Sequence, residues 1–149
     1  MTRYKTDNEL LIEWQERLGL QDWAIKVVDN CPPDEIGTSA CDGYTVWEES
    51  IKAARIQILD PKYYGDRIIP FDYEKILVHE LLHLKFTLVS DEVEALQARY
   101  MHQIIDDLAR AFVDAKRSNR RDKNNEVENA YLARERLLTS YCKNNEVEE

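Results

Sequence analysis

Histidine is scarce in this 149-residue chain, with three residues, and cysteine is equally so, at Cys31, Cys41 and Cys142. An odd cysteine count without a CxxC pair argues against a disulfide framework or a cysteine-built zinc site, and for reduced thiols. Glycine and proline number four each, too few for a collagen-like or low-complexity chain. No window approaches the roughly 18 consecutive apolar residues that span a bilayer, so no membrane partner is expected. The opening MTRYKTDNELLIEW reaches acidic residues at once and has no apolar leader or small-residue cleavage site, which predicts a cytoplasmic chain. Positive charge is also in short supply: residues 1–115 carry 12 Lys/Arg against 22 Asp/Glu within a net charge of −9. Such a body is a poor platform for phosphate backbones, and no nucleic-acid partner is expected. The remaining residues, 116–149, balance 8 against 7, and their run KRSNRRDK reads as a solvated helix end.

What is present is ordinary globular material, 44% hydrophobic and 33% charged, long enough for one core with an appendage. Leu11, Trp14 and Leu18 in NELLIEWQERL share one helix face, and Gly19 is placed to cap that helix. Trp23, Ile25 and Val27 alternate with polar neighbours, the pattern of a half-buried strand, and CPPDEIG then breaks it as a loop. TSACDGYTVWEES has room for one or two short strands around Asp42-Gly43. KAARIQILDP turns Ala54, Ile56 and Ile58 to one side and stops at Pro61, a clear strand signal. Asp72 is a good N-cap for YEKILVHELLHLKFTL, a helical run from Tyr73 to about Leu88. Ser90 or Asp91 can cap a second helix with the stripe Val93, Leu96, Tyr100, Ile104, Leu108 and Phe112. A further helical segment, VENAYLARERLLTSYC, lies in the tail between two copies of KNNEVE, which read as its polar flanks.

Two of the three histidines fall in VHELLHLKF. Residues four apart on a helix stand one turn apart on one face, so His79 and His83 can grip one ion. Glu80 leans toward the place where a water beside that ion would stand. Two imidazole ligands and a neighbouring carboxylate are what zinc-dependent hydrolysis requires, which gives HExxH its meaning. A buried helix with two satisfied histidines is the blander reading. Against it, Val78, Leu81, Leu82 and Leu84 surround the motif with apolar residues, and three ionisable groups in so dry a helix are costly unless coordinated or paired.

A catalytic zinc site needs a third protein ligand and an open fourth position. The extended motif HExxHxxGxxH is absent, because Phe86 and Val89 stand where Gly and His would be. The candidates are Glu92, Glu94 and His102 on the following helix. With a turn near Val89 and Ser90 the two helices run antiparallel, and the level of His79 and His83 is mirrored near Ala98. Side chains lean toward their helix N-terminus, which favours His102 over Glu94 and disfavours Glu92. Ala95, Ala98 and Ala109 lie on the stripe of His102 and allow close approach. Asp106, one turn later, is a candidate to hold the other ring nitrogen of His102, or else an exposed acid.

WQERLGLQDWAIKV, AARIQIL, KILVHELLHLKF and HQIIDDLARAFV resemble, in that order, small HExxH metallopeptidases common in phages and prophage regions. These are minimal zincin-like proteins, distantly similar to the SprT-like and ImmA/IrrE-like groups, and the resemblance covers about residues 10–113. It implies His79 and His83 as metal ligands, Glu80 as general base, and the strand Arg55 to Leu59 as the cleft edge that pairs with an extended peptide. The segment matching HQIIDDLARAFV usually opens with Glu as third ligand, whereas this chain has His102.

The expected fold is therefore α+β and zincin-like. A small, mainly antiparallel sheet would pack on the HExxH helix, followed by an antiparallel partner helix and a C-terminal helical tail. The expected domains are residues 1–117 and a charged tail, 118–149. The leading expectation is a Zn2+-dependent metallopeptidase with a peptide or protein substrate. Its metal ligands are His79, His83 and His102, its base is Glu80, and Tyr44, Tyr63, Tyr64 and Tyr100 are candidate oxyanion stabilisers. The rivals are a non-catalytic interaction or morphogenesis protein with a structural metal site, and a metal hydrolase acting on a non-peptide bond.

Overall fold

The computed structural model describes residues 7–36, 41–86 and 95–145, with side chains of the last helix described at 99–129 and Leu132. Helix α1 (Asp7–Leu18) forms on the face expected, burying Leu11 and Trp14. Gly19 ends it at φ 61, in the left-handed region where a Cβ would be strained, and the Leu20 amide returns to the Gln15 carbonyl at 2.8 Å. Strand β1 (Ala24–Cys31) follows and stops at Pro32 and Pro33. β2 (Gly43–Glu48) and β3 (Ala53–Leu59) are joined through a short 3-10 turn at Glu49–Ile51, closed by Lys52 at φ 49. Ala54, Ile56 and Ile58 of β3 all point into the core, as their alternation with Arg55 and Gln57 requires.

The strand order is β1-β3-β2, with β1 parallel to β3 and β2 antiparallel to it. The sheet is thus mixed, which corrects the expectation of a mainly antiparallel one. β2 lies on the far edge, so the chain leaving β1 crosses the sheet before turning back into β3. Alternation within a strand reports which face is buried and carries no record of that neighbour order.

Helix α2 (Tyr73–Lys85) starts where Asp72 accepts the Lys75 amide at 3.3 Å, the cap read from the sequence. It packs on β2, β3 and α1, and Trp14 Nε1 ties α1 to it by donating to Glu74 Oε1 at 2.9 Å. Leu77, Val78, Leu81, Leu82 and Leu84 are all buried. Each such side chain contributes about 1.5–3 kcal/mol of burial. On the opposite face of the sheet Tyr44, Val46 and Arg55 are exposed, while Leu59 is buried in a second small cluster with Cys31 and Ile36.

Helix α3 (Ala95–Asn145) is one element of 51 residues, not two helical segments separated by the basic run. No Gly or Pro occurs anywhere within it, so nothing in the local chemistry ends the helix at KRSNRRDK. Its buried stripe is Ile105, Ala109 and Val113, while Tyr100, Ile104 and Phe112 of the expected stripe are exposed. Both stripes are apolar; the helix uses the one adjoining His102. Ser90, Asp91 and Val93 lie outside the described residues, and Ala95, Leu96 and Ala98 outside the described side chains. The chain divides into two compact units, Met1–Val113 and Asp114–Glu149. Among the described residues no helix is long and apolar enough to cross a membrane.

Candidate metal centre

The apolar environment of α2 leaves its three ionisable motif residues with few places to go. His79 is 9% exposed and Glu80 4%, and His83 is half-buried. The Nε2 atoms of His79 and His83 stand 3.1 Å apart, one turn of helix bringing them together. His102, on the more exposed flank of α3, completes the group: its ring centroid is 4.6 Å from that of His79 and 5.3 Å from that of His83. One ring nitrogen from each of the three lies within 4.8 Å of the others. The alternative ligands Glu92 and Glu94 lie outside the described residues.

This donor set fits a transition metal. Bonds of about 2.0–2.1 Å in a tetrahedron place neighbouring ligand nitrogens roughly 3.3 Å apart, close to the His79–His83 spacing. Three imidazoles also suit zinc, copper, iron or nickel in preference to the oxygen-seeking magnesium and calcium. Electrostatics favours the required neutral rings. Burial lowers the His83 pKa to about 4, with His79 and His102 adding repulsion. Burial and His79 likewise lower the pKa of His102.

Asp106 is in the site, but not where the sequence suggested. It pairs with His79 instead of His102: His79 Nδ1 donates to Asp106 Oδ1 at 2.8 Å. That bond is the main cause holding the Asp106 carboxyl below its ordinary range. With Nδ1 carrying the proton, His79 presents its Nε2 lone pair toward His83.

Glu80 points toward β2. Thr45, itself buried, donates from Oγ1 to Glu80 Oε2 at 2.6 Å. Burial raises the Glu80 pKa, and the Thr45 bond opposes that rise. Oε1 has no hydrogen-bond partner among the described residues. Sequence reasoning missed Thr45. Its only advance signal was a polar residue on the inward face of GYTVWE, and nothing local says which helical residue it meets.

These groups line a cleft of about 640 Å³, together with Gly43, Tyr44 and Trp47 of β2 and Tyr64 and Ile69 of the connector before α2. Of the four tyrosines considered, Tyr44 and Tyr64 are among the residues that line the cleft, Tyr44 from the edge strand with its side chain on the exposed face; Tyr63 and Tyr100 do not line it. The expected cleft-edge strand is also corrected. β3 is central and paired on both sides, so it has no free edge for a peptide. β2 has one. Its Asp42 carbonyl accepts the Leu59 amide at 2.9 Å, and antiparallel alternation from that pair directs Tyr44, Val46 and Glu48 to β3. The main-chain groups of Gly43, Thr45 and Trp47 therefore face the free edge beside the cleft.

Comparison with known proteins finds no matching family model, no matching curated protein and no matching solved structure.

Proposed function

We propose that this chain is a zinc-dependent metallopeptidase of minimal zincin-like type. The observation that carries the reading is the convergence of His79, His83 and His102 beside the Glu80 carboxylate in one open cleft. When bound, zinc supplies Lewis acidity and makes water acidic enough to serve as a nucleophile near neutral pH. His79, His83 and His102 would hold the ion through neutral ring nitrogens and leave the cleft side free. Glu80 takes a proton from the attacking water at Oε1, the oxygen that Thr45 does not hold, and returns it to the leaving amine. Its raised pKa suits that exchange, since a base poised nearer neutrality both accepts and gives up the proton. The free edge of β2 offers main-chain donors and acceptors to an extended peptide, which makes an unfolded segment the natural substrate.

An ion that only stapled the helices would need neither a buried glutamate nor an adjoining cleft. Elemental analysis of purified protein, then degradation of unfolded casein with and without a zinc chelator, tests the proposal. Zinc-dependent cleavage that Glu80→Gln eliminates supports it. A protein that holds zinc and cleaves nothing belongs to the interaction-protein reading.

A further inference from the structure

We infer that Gly43 and Thr45, two residues of the edge strand β2, are positioning residues that fix the Glu80 carboxylate and choose which of its oxygens works. The inference rests on the metallopeptidase reading only for what Glu80 does, not for how it is held. The first observation concerns Gly43. A Cβ built on it would lie 2.6 Å from Glu80 Oε1, 2.8 Å from Cγ and 2.9 Å from Cδ. Real Cβ contacts essentially never come so close, so the carboxylate lies directly against the Gly43 backbone. Glycine is not required there by conformation, because the positive-φ glycines are Gly19 and Gly65. What the position demands is the missing side chain.

The second observation is Thr45, two residues on and on the same inward face. Its hydroxyl holds Oε2 at 2.6 Å, a length typical of a donor to a charged acceptor. Thr45 is 7% exposed and Glu80 4%, so water does not compete for this bond. Gly43 thus makes room for the carboxylate and Thr45 pins one oxygen, which leaves Oε1 alone for proton transfer. Because the main-chain groups of the same two residues face the free edge of β2, a peptide docked there would bind the strand that holds the base. Substrate placement and base placement share one element.

A residue that merely packs α2 on the sheet would tolerate a shape-preserving change. The test therefore compares Thr45→Val, which keeps the shape and removes the donor, with Thr45→Ser, which keeps the donor. Full-length zinc-loaded proteins are assayed on a quenched-fluorescent unfolded casein. Thr45→Val should bind zinc like the parent, keep KM within about twofold and lose roughly 10–100-fold in kcat, the scale of a misplaced catalytic group. Thr45→Ser should stay within about threefold of the parent, since its hydroxyl restores the placement. Gly43→Ala should lower kcat similarly. Shortening the acid as well, in Gly43→Ala/Glu80→Asp, should cost less than the two single changes multiplied together. Unchanged kcat in Thr45→Val, or equal losses in Val and Ser, overturns the inference.

A readout independent of hydrolysis separates this inference from the enzyme reading. Thr45→Val should lower the thermal midpoint when Glu80 is present and leave it nearly unchanged in a Glu80→Ala background. Equal shifts in both backgrounds overturn the positioning role. A zinc-loaded parent that hydrolyses nothing, with the midpoint coupling intact, overturns the enzyme reading alone.

Discussion

His79 and Asp106 form the pair on which the candidate metal centre turns: Nδ1 of the ring donates to the carboxylate at 2.8 Å, and the opposite nitrogen is thereby left as a lone pair. Asp106 is itself exposed at one edge, so the pair acts on ring orientation more than on fold stability. Asp106→Ala should leave the unfolding midpoint nearly unchanged and weaken zinc binding about 10–100-fold, the usual cost of losing an outer-shell partner. Competition with a fluorescent chelator measures it. Parental affinity in that variant would remove Asp106 from the site.

The chain should bind about one zinc ion, through three rings that no two can replace. His79→Ala, His83→Ala and His102→Ala should each abolish tight binding. His102→Glu should restore a site of the commoner His₂Glu kind with lower net charge. A fully zinc-loaded His102→Ala protein, assayed by elemental analysis, would mean the third ligand lies elsewhere.

The metal-free protein should lose stability as pH falls from about 6.5 toward 4. The folded His83 has a pKa of about 4 against the ordinary histidine value of 6.5, so between those limits the unfolded chain binds a proton that the folded one refuses. Below about 4 this contribution levels off. Chelated protein followed by thermal melts from pH 4 to 8 gives the curve, and His83→Asn should flatten it. A curve unchanged by that substitution would assign the dependence to other groups.

Glu80 works in the opposite sense. Its folded pKa lies above the ordinary glutamate value of 4.5, so it costs stability as pH rises past that value and the buried acid ionises. Glu80→Gln should therefore melt higher than the parent at pH 8 without metal, hold zinc when supplied, and show no hydrolysis. A lower melting point at pH 8 would show that the ionised carboxylate stabilises the fold.

Truncation after Ser118 should leave a folded, metal-binding protein. The core cluster ends at Val113, and every residue of the candidate metal centre precedes it. Circular dichroism should show a cooperative melt with less helix. Loss of cooperativity would place the rest of α3 in the folding unit.

The local elements were legible because short-range chemistry dictates them. Gly19 could take a left-handed cap, Asp72 could reach the Lys75 amide, and Ile56 alternated with Arg55 and Gln57 at the period of a strand. His79 and His83 were legible as a pair because helix pitch alone brings them together. His102 was harder, reached through an assumed turn and a side-chain lean, and the fold does bring it to the other two.

The remaining features depend on contacts between residues far apart in the chain. Asp106 could not be assigned to His79 from sequence, since one turn of α3 separates it from His102 while a different helix carries its true partner. The buried stripe of α3 was ambiguous because Tyr100-Ile104 and Ile105-Ala109 are both apolar, and only their place in the tertiary core decides between them. Strand order is equally nonlocal: each strand encodes its buried face, but not which neighbour takes its hydrogen bonds. Sequence alone therefore determined helices, caps, strands and the pairing of two histidines on one helix face. Tertiary structure decided that β2 is an edge strand beside the cleft, that Thr45 and Gly43 meet Glu80, and that Asp106 holds His79, because each depends on how separate elements pack against one another.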